Sequence, residues 1–238
     1  MSLLIRLCLV LCLAIAAGSP ALARDASPQT QGAAIVDFES PEGQARHARA
    51  AARADFESLR KFFEAQINGA YCGPATAAVV LNALADARTH TQEGVVARGR
   101  KPRALVLGEP MSYGGMAVRD PGYQLRQLDE MLRANGAATR MTVADDRAAD
   151  ERIRRDLIDN LSRPGDYVVV NYRRDLAGQR GGGHISPLAA YDEASDSFLV
   201  LDVNPSFARW AWIPAPALIR AMRSPDLVES RGYILVSK

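Results

Sequence analysis

The sequence predicts an α+β fold, with a helical N-terminal half packed on a C-terminal antiparallel sheet. Two observations carry this expectation. Between Ser40 and Ser162 the apolar residues recur at helical spacing, and from Tyr167 onward they gather into short β-rich runs separated by turn residues. Helices first and strands second describe α+β rather than an alternating α/β chain. A chain of 238 residues, 48% of them hydrophobic, suits one domain with a sizeable core. It contains no internal repeat.

Before any fold is read, residues 1–23 are set aside as a signal peptide. Arg6 precedes an apolar run from Leu7 to Ala17, followed by Gly18-Ser19-Pro20 and Ala21-Leu22-Ala23. A basic start, a short apolar stretch and a small-x-small site describe a secretory leader cut after Ala23. The run is shorter than the roughly 20 residues that span a bilayer. The expectation is a periplasmic or secreted protein with no stable membrane insertion once the leader is gone. Leu11 before Cys12 does not suit a lipoprotein box. Of the three cysteines, Cys8 and Cys12 leave with the leader, which makes Cys72 the only thiol of the mature chain. A solitary thiol in an oxidising space is either buried and inert or kept because it reacts. The formal net charge of +2 indicates no basic surface for nucleic acid.

Residues 24–40 are mostly small and polar and read as a flexible leader to a domain over 41–238. Ser40-Pro41-Glu42 opens a helix with a cap residue and Pro at the first position. The pattern continues to Ala65, with Phe56, Leu59, Phe62 and Phe63 on one stripe and a first half polar enough to be solvated. A second helix runs from about Cys72 to Leu84. Asp86 to Gly122 is weakly patterned, and Gly114-Gly115 suggests irregular loops. Tyr123 to Asn135 is a third helix, ended by Gly136, and Asp145 to Ser162 a fourth, ended by Pro164-Gly165. Strands follow at Tyr167–Tyr172, His184–Tyr191 and Ser197–Val203, with a turn over Asp192–Asp196. A short helix at Pro216–Met222 and a strand at Gly232–Ser237 close the chain.

Three segments carry chemistry. In Gln66-Ile67-Asn68-Gly69-Ala70-Tyr71-Cys72-Gly73-Pro74 a loop becomes a helix at Cys72. Helix N-termini offer unpaired N–H groups and a positive dipole end, which favour the thiolate that attacks. The alternative is a Cys packed inertly beneath a helix start. Gln66 can supply a carboxamide N–H to an oxyanion beside the N–H of Cys72; alone, it reads as a surface Gln. In Gly181-Gly182-Gly183-His184, an imidazole starts a strand after a flexible loop, whereas His47 and His90 lie in polar surroundings. A lone strand His is more often structural, but a helix-start Cys in the same chain makes a Cys–His pair the better reading. Asp202 ends the run Phe198-Leu199-Val200-Leu201 and can orient His184, or it simply begins a turn. The position midway between His184 and Asp202 is Glu193, inside the expected turn, so the two would face each other across a hairpin. The order Cys, His, Asp is that of papain-like enzymes, with the acid in place of the more usual Asn.

Beyond this constellation, Gln66, Ala70-Tyr71-Cys72-Gly73-Pro74-Ala75-Thr76 and Val80-Leu81-Asn82-Ala83-Leu84 resemble the nucleophile segment of phytochelatin synthases. Gly183-His184-Ile185-Ser186-Pro187-Leu188-Ala189-Ala190-Tyr191, Leu201-Asp202-Val203, Trp212 and Arg231-Gly232-Tyr233 resemble later blocks of that catalytic domain, in the same order. The resemblance implies a papain-like cysteine protease fold and acyl transfer on glutathione. Cys72 would attack the cysteinyl carbonyl, with His184 as proton carrier, Asp202 orienting it and Gln66 at the oxyanion. The thioester would go to water or to a second glutathione. Asn171, Gly183 and Arg231 would hold the γ-glutamyl part; for Arg231 a surface arginine before a strand is the equal alternative. The chain lacks the Cys-rich extension of plant-type members, so no metal site is expected. No cofactor is required, and cadmium or zinc would arrive as metal–glutathione substrate. Short forms of this kind resemble bacterial members, in which hydrolysis dominates. A homodimer is a candidate assembly. Two competing readings are a papain-like peptidase acting on another small peptide and a non-catalytic thiol- or metal-binding protein.

Overall fold

Burial on every side is what the composition of residues 72–85 demands: from Ala75 on, this stretch is Ala, Val and Leu nearly all round, with Thr76 and Asn82 the polar exceptions. In the computed structural model, which describes residues 34–99, 111–113, 116–118 and 122–238, it is helix α3 (Cys72–Ala85), and every residue from Gly73 to Leu84 is buried. Asn82 is satisfied locally, its carbonyl accepting from the N–H groups of Thr89 and His90 and its amide donating to the His90 carbonyl. Residues 1–23, read above as a signal peptide, residues 24–33 and Gly114-Gly115 lie outside the described residues.

Seven strands form one antiparallel sheet. In chain order the large sheet holds β1 (Val36–Asp37), β4 (Ala138–Val143), β5 (Tyr167–Arg173), β6 (Gly183–Asp192), β7 (Ser197–Val200), β8 (Ala211–Pro214) and β9 (Gly232–Ser237). Their spatial order is β1-β8-β7-β6-β5-β9-β4, which puts β5 and β6 at the centre. A separate hairpin pairs β2 (Met111–Tyr113) with β3 (Met116–Val118). The remaining helices are α1 (Pro41–Arg49), α2 (Phe56–Phe62), α4 (Gln92–Arg98), α5 (Leu125–Ala134), α6 (Asp150–Leu161) and α7 (Ala215–Met222).

Both faces of the sheet are covered. Val169, Ile185, Leu199, Trp212 and Ile234 point into one core with α2, α3 and α5. Val168, Val170, Leu188, Phe198 and Tyr233 point into a second core with α6 and α7. Burial on two faces explains why Tyr167–Val170 reads as an unbroken apolar run rather than an alternating one. The α+β class therefore holds, but the partition is less simple than helices first and sheet second. β1 and β4 come from the stretch before Ser162, which reads as leader and helices, and α6 and α7 pack on the far side of the sheet.

The single helix expected from Pro41 to Ala65 is broken into α1 and α2. Residues 50–55 are held instead by tertiary hydrogen bonds, from Tyr191 N to the Ala52 carbonyl at 2.8 Å and from Ala54 N to the Leu161 carbonyl at 2.9 Å. The first half is mostly exposed, as its polar composition predicts, and it docks on the sheet at a few points. The Trp212 indole N–H donates to the Gly43 carbonyl at 3.0 Å, and buried Arg46 reaches Ser197 at 3.2 Å. Phe38 is buried and β1 pairs with β8, so the fold begins inside the stretch read as a flexible leader. His47 is half-buried rather than simply exposed, its ring centroid 4.1 Å from that of Phe56 with Arg53 beside it. Strands β1, β4 and β8 and helix α4 were not legible in the pattern.

Gly43 shows how tightly α1 is seated. A Cβ there would collide with the carbonyl oxygens of Asp37 and Phe38. We expect Gly43→Ala to destabilise the protein by about 1–3 kcal/mol, the usual cost of overpacking, read as a lower urea midpoint at unchanged slope.

Candidate active site

Cys72 occupies the first position of α3, and the Tyr71 side chain does not cap that helix end. The first-turn N–H groups therefore face the thiol region without a competing acceptor from the cap. Cys72 itself is half-buried, unlike the residues that follow it. One turn below, the Thr76 hydroxyl donates to the Ile185 carbonyl at 3.2 Å, pinning α3 to β6 one residue past His184. Gly73 sits against the Tyr123 ring: a Cβ there would come within 3.1 Å of Tyr123 Cβ.

The structure brings Cys72, His184 and Asp202 together. The thiol interacts with the His184 ring as its main polar partner, and the Ile185 N–H acts on it too. On its other side His184 Nε2 lies 3.0 Å from Asp202 Oδ1 and 2.8 Å from Ser186 Oγ. With Nε2 so engaged, Nδ1 is the nitrogen that faces sulfur. The Tyr172 ring meets the imidazole edge-on, with centroids 5.9 Å apart. His184 and Asp202 are fully buried.

Asp202 arrives by a different register from the one expected. β6 and β7 pair as Asp192↔Ser197, Tyr191↔Phe198 and Ala190↔Leu199, and after a bulge as Leu188↔Val200. Continued, that register sets His184 opposite Asn204 rather than Asp202, a slip of two residues from the hairpin count. Pro187 explains why the acid still reaches the ring. Leu201 N donates to the Pro187 carbonyl at 3.0 Å, but Pro187 has no N–H to return, so the ladder stops there. Beyond it, Val203 N donates to the Ser186 hydroxyl at 3.3 Å. Asp202 thus leaves the strand and turns toward His184. Pro187, in a central strand, sits where its neighbour runs out.

Electrostatics favour the ion-pair form. Burial pushes the Cys72 thiol up, but the hydrogen bond and charge of His184, with help from the Ile185 N–H and Arg174, hold it below the ordinary thiol range. Burial pushes His184 down, and Asp202 and Cys72 reverse this, leaving the imidazole above its usual value. Burial likewise raises Asp202, and His184 and Arg174 bring it below the usual carboxylate range.

The other expected residues divide. Gln66 is tied to the site by its backbone, its N–H donating to the Val203 carbonyl at 2.8 Å, while its side-chain amide donates to the Asn68 carbonyl at 2.5 Å. The structure shows no contact between that amide and Cys72. Asn171 and Arg231 do come together, on β5 and just ahead of β9. Asn171 Nδ2 donates to Asp226 Oδ2 at 3.2 Å, and Arg231 Nη2 to Asp226 Oδ1 at 3.1 Å. Gly183 adjoins them, since a Cβ there would stand 2.9 Å from Arg231 Nη2. This cluster lies beside His184 on the sheet, where Asn171 pairs with Ile185 and Tyr172 with His184.

Comparison with known proteins fits this arrangement. A family profile described as phytochelatin synthase matches residues 29–233. The chain belongs to the phytochelatin synthase family. Similar curated proteins include glutathione gamma-glutamylcysteinyltransferase 3 of Lotus japonicus, 29% identical over 208 residues, covering 85% of this chain and 42% of that protein. Glutathione gamma-glutamylcysteinyltransferase 1 of Arabidopsis thaliana is 28% identical over the same shares. The enzyme of that name from Schizosaccharomyces pombe is 25% identical over 186 residues, 76% of this chain and 43% of its own length. The chain spans less than half the length of these phytochelatin-synthase-type relatives.

Sequence reasoning missed three residues. Arg174 places its guanidinium on Asp202, with Nε 3.0 Å from Oδ2 and Nη2 2.6 Å from Oδ1. Ser186 touches both the His184 ring and the chain after Asp202. Asp226 joins Asn171 to Arg231. Ser186 lay inside a quoted block, whereas Arg174 and Asp226 stand in loop sequence with no periodic signal. Among the described residues no cluster of His, Cys, Asp and Glu could hold a metal ion, and no helix is long and apolar enough to cross a membrane.

The shifts set a pH window for alkylation of Cys72 by iodoacetamide. Reactivity should already be high below pH of about 8.5, the ordinary thiol value. Because His184 holds the thiol down, His184→Ala should move the midpoint of reactivity up toward that value, as read from alkylation rate against pH.

Proposed function

We propose that this protein cleaves glutathione through a γ-glutamylcysteinyl thioester on Cys72. The observation that carries the reading is a thiol–imidazole–carboxylate chain lying beside the Asn171–Asp226–Arg231 cluster. Arg231 is a cation and Asp226 an anion at one place, which matches the free α-carboxylate and α-ammonium of a γ-linked glutamyl group. An ordinary peptide backbone offers no such zwitterion in mid-chain. Membership of a family whose curated relatives are named for this transfer supports the same substrate.

In this mechanism Cys72 sulfur bonds to the carbonyl carbon between cysteine and glycine. His184, protonated at Nδ1 by the thiol, gives that proton to the glycine nitrogen as the C–N bond breaks. Glycine leaves and the thioester remains. Water then attacks, His184 takes its proton and returns it to sulfur, and γ-glutamylcysteine departs. The amine of a second glutathione in place of water gives a two-unit phytochelatin. The Cys72 N–H at the start of α3 and an N–H of Gln66 stabilise the oxyanion, which requires the Gln66 amide to turn from Asn68. Asp202 keeps the ring oriented.

No cofactor enters this scheme. Cadmium or zinc, where involved, comes bound to the substrate thiols. The leader-like pattern of residues 1–23 supports a periplasmic or secreted enzyme, and a homodimer is compatible with the reading.

With glutathione as substrate, wild-type protein should release glycine and carry a transient acyl adduct on Cys72 visible by mass spectrometry. Cys72→Ala should abolish both. Glycine release at the wild-type rate from that variant would end the proposal, and equal turnover of unrelated glycine-ended peptides would favour a general peptidase. Arg231→Met should raise KM for glutathione by about tenfold or more, since one charge-assisted bidentate contact is worth on the order of 1.5–3 kcal/mol.

A further inference from the structure

Asp202 is held by more than the histidine it serves. Its Oδ1 accepts from His184 Nε2 at 3.0 Å, from Arg174 Nη2 at 2.6 Å and from the Asn204 N–H at 2.8 Å. Its Oδ2 accepts from Arg174 Nε at 3.0 Å and Nη2 at 2.7 Å. The guanidinium is as buried as the carboxylate, so solvent screens neither charge. Arg174 is in turn fixed by its surroundings. Its N–H donates to the Gly182 carbonyl at 2.9 Å, and its own carbonyl accepts from Gln179 N at 2.8 Å. The Phe207 ring stands over its charge at 5.7 Å, although that ring is itself mostly exposed. Gly181, at a φ of 108° that favours glycine, lets the loop pass against the arginine stem.

A bare buried carboxylate 3.0 Å from an imidazole would lock it in the protonated form and hinder the proton transfer that glycine departure needs. A full cation bonded to both oxygens cancels most of that field while leaving the hydrogen bond. We propose that Arg174 is a positioning residue that offsets much of the Asp202 charge, so that the carboxylate orients His184 while raising its proton affinity less than an unpaired carboxylate would. The Asp–Arg pair then comes closer electrically to the Asn of papain-like enzymes than a lone acid does. The charged and titratable groups that face His184 and Asp202 are Cys72 from α3, Tyr172 from β5 and Arg174 from the loop after β5. The Tyr172 hydroxyl is committed to Gln179, and burial pushes its ionisation far upward, so it stays neutral. Arg174 is thus the one cation on the acid besides the imidazolium among these groups.

The inference concerns the proton-carrying machinery of the proposed glutathione reaction, and its test has a readout that needs no substrate. The chain has three histidines, so ring resonances can be titrated by NMR and His184 assigned by its loss in His184→Gln. Arg174→Met leaves Asp202 uncompensated and should shift the His184 titration upward. Asp202→Asn leaves Arg174 uncompensated and should shift it downward. The double variant Arg174→Met/Asp202→Asn removes both charges together and should return it close to the wild-type value. In turnover the falling alkaline limb should move in the same directions, and the double variant should exceed Asp202→Asn in kcat/KM by about tenfold, within the usual coupling of contacting residues. Should Arg174→Met not fold alone, the comparison of Asp202→Asn with the double variant still decides. A double variant no better than Asp202→Asn, or a His184 titration that moves in neither single variant, would overturn the proposal and leave Arg174 a structural residue. Correct NMR shifts without glutathione turnover would uphold it while removing the substrate assignment.

Discussion

The seating of α3 against β6 is the constraint on which the site depends. A helix made almost wholly of Ala, Val and Leu has nowhere to go but the interior, and the central strand pair offers the matching apolar surface. Thr76 ties the two together through the Ile185 carbonyl, one turn below the thiol and one residue past the imidazole. Because both partners are buried and rigid, the separation of Cys72 and His184 is set by packing rather than by the side chains' own freedom. The helix start then exposes its unpaired N–H groups where an oxyanion would form.

The third member reaches the site by the failure of a strand. β7 stops at Val200, and Pro187 on β6 cannot donate to continue the ladder. The chain that follows is free to turn, and Ser186 takes up the Val203 N–H that the sheet no longer serves. Asp202 is thereby aimed at the ring from beyond the hairpin. This arrangement buries an acid, a base and Arg174 in one connected network, which fixes the orientation of the imidazole on both sides. The same connectedness makes the network sensitive, since loss of one charge strands the other in a medium where it cannot be solvated.

The second functional feature sits on the same two strands. Asn171 lies on β5 opposite Ile185, and Gly183 on β6 allows Arg231 to approach. The imidazole on β6 and Asn171 on β5 are therefore register neighbours, with the thiol brought to them by α3 and Arg231 by the chain entering β9. A γ-linked substrate laid along these strands would place its charged end at Arg231 and Asp226 and its cysteinyl carbonyl near sulfur.

By itself the sequence determined much of this. Helix periodicity located α3, α5, α6 and α7, and β-rich runs located β5, β6, β7 and β9, because each pattern follows from local burial on one or two faces. A cap-like loop before Cys72 and a glycine loop before His184 marked the two reactive groups, since both signals are local in the chain. What tertiary structure alone decided has a common physical reason, which is dependence on partners far away in sequence. The break after α1 exists because Ala52 and Ala54 hydrogen-bond to Tyr191 and Leu161. The short strands β1, at the sheet's edge, and β8, beside it, are strands only because each has a neighbour. The register that delivers Asp202 was misjudged by two residues because a bulge and a proline act through the adjacent strand. Arg174 and Asp226 carried no pattern at all: an arginine or aspartate in a loop reads as solvated surface until the fold buries it against an opposite charge.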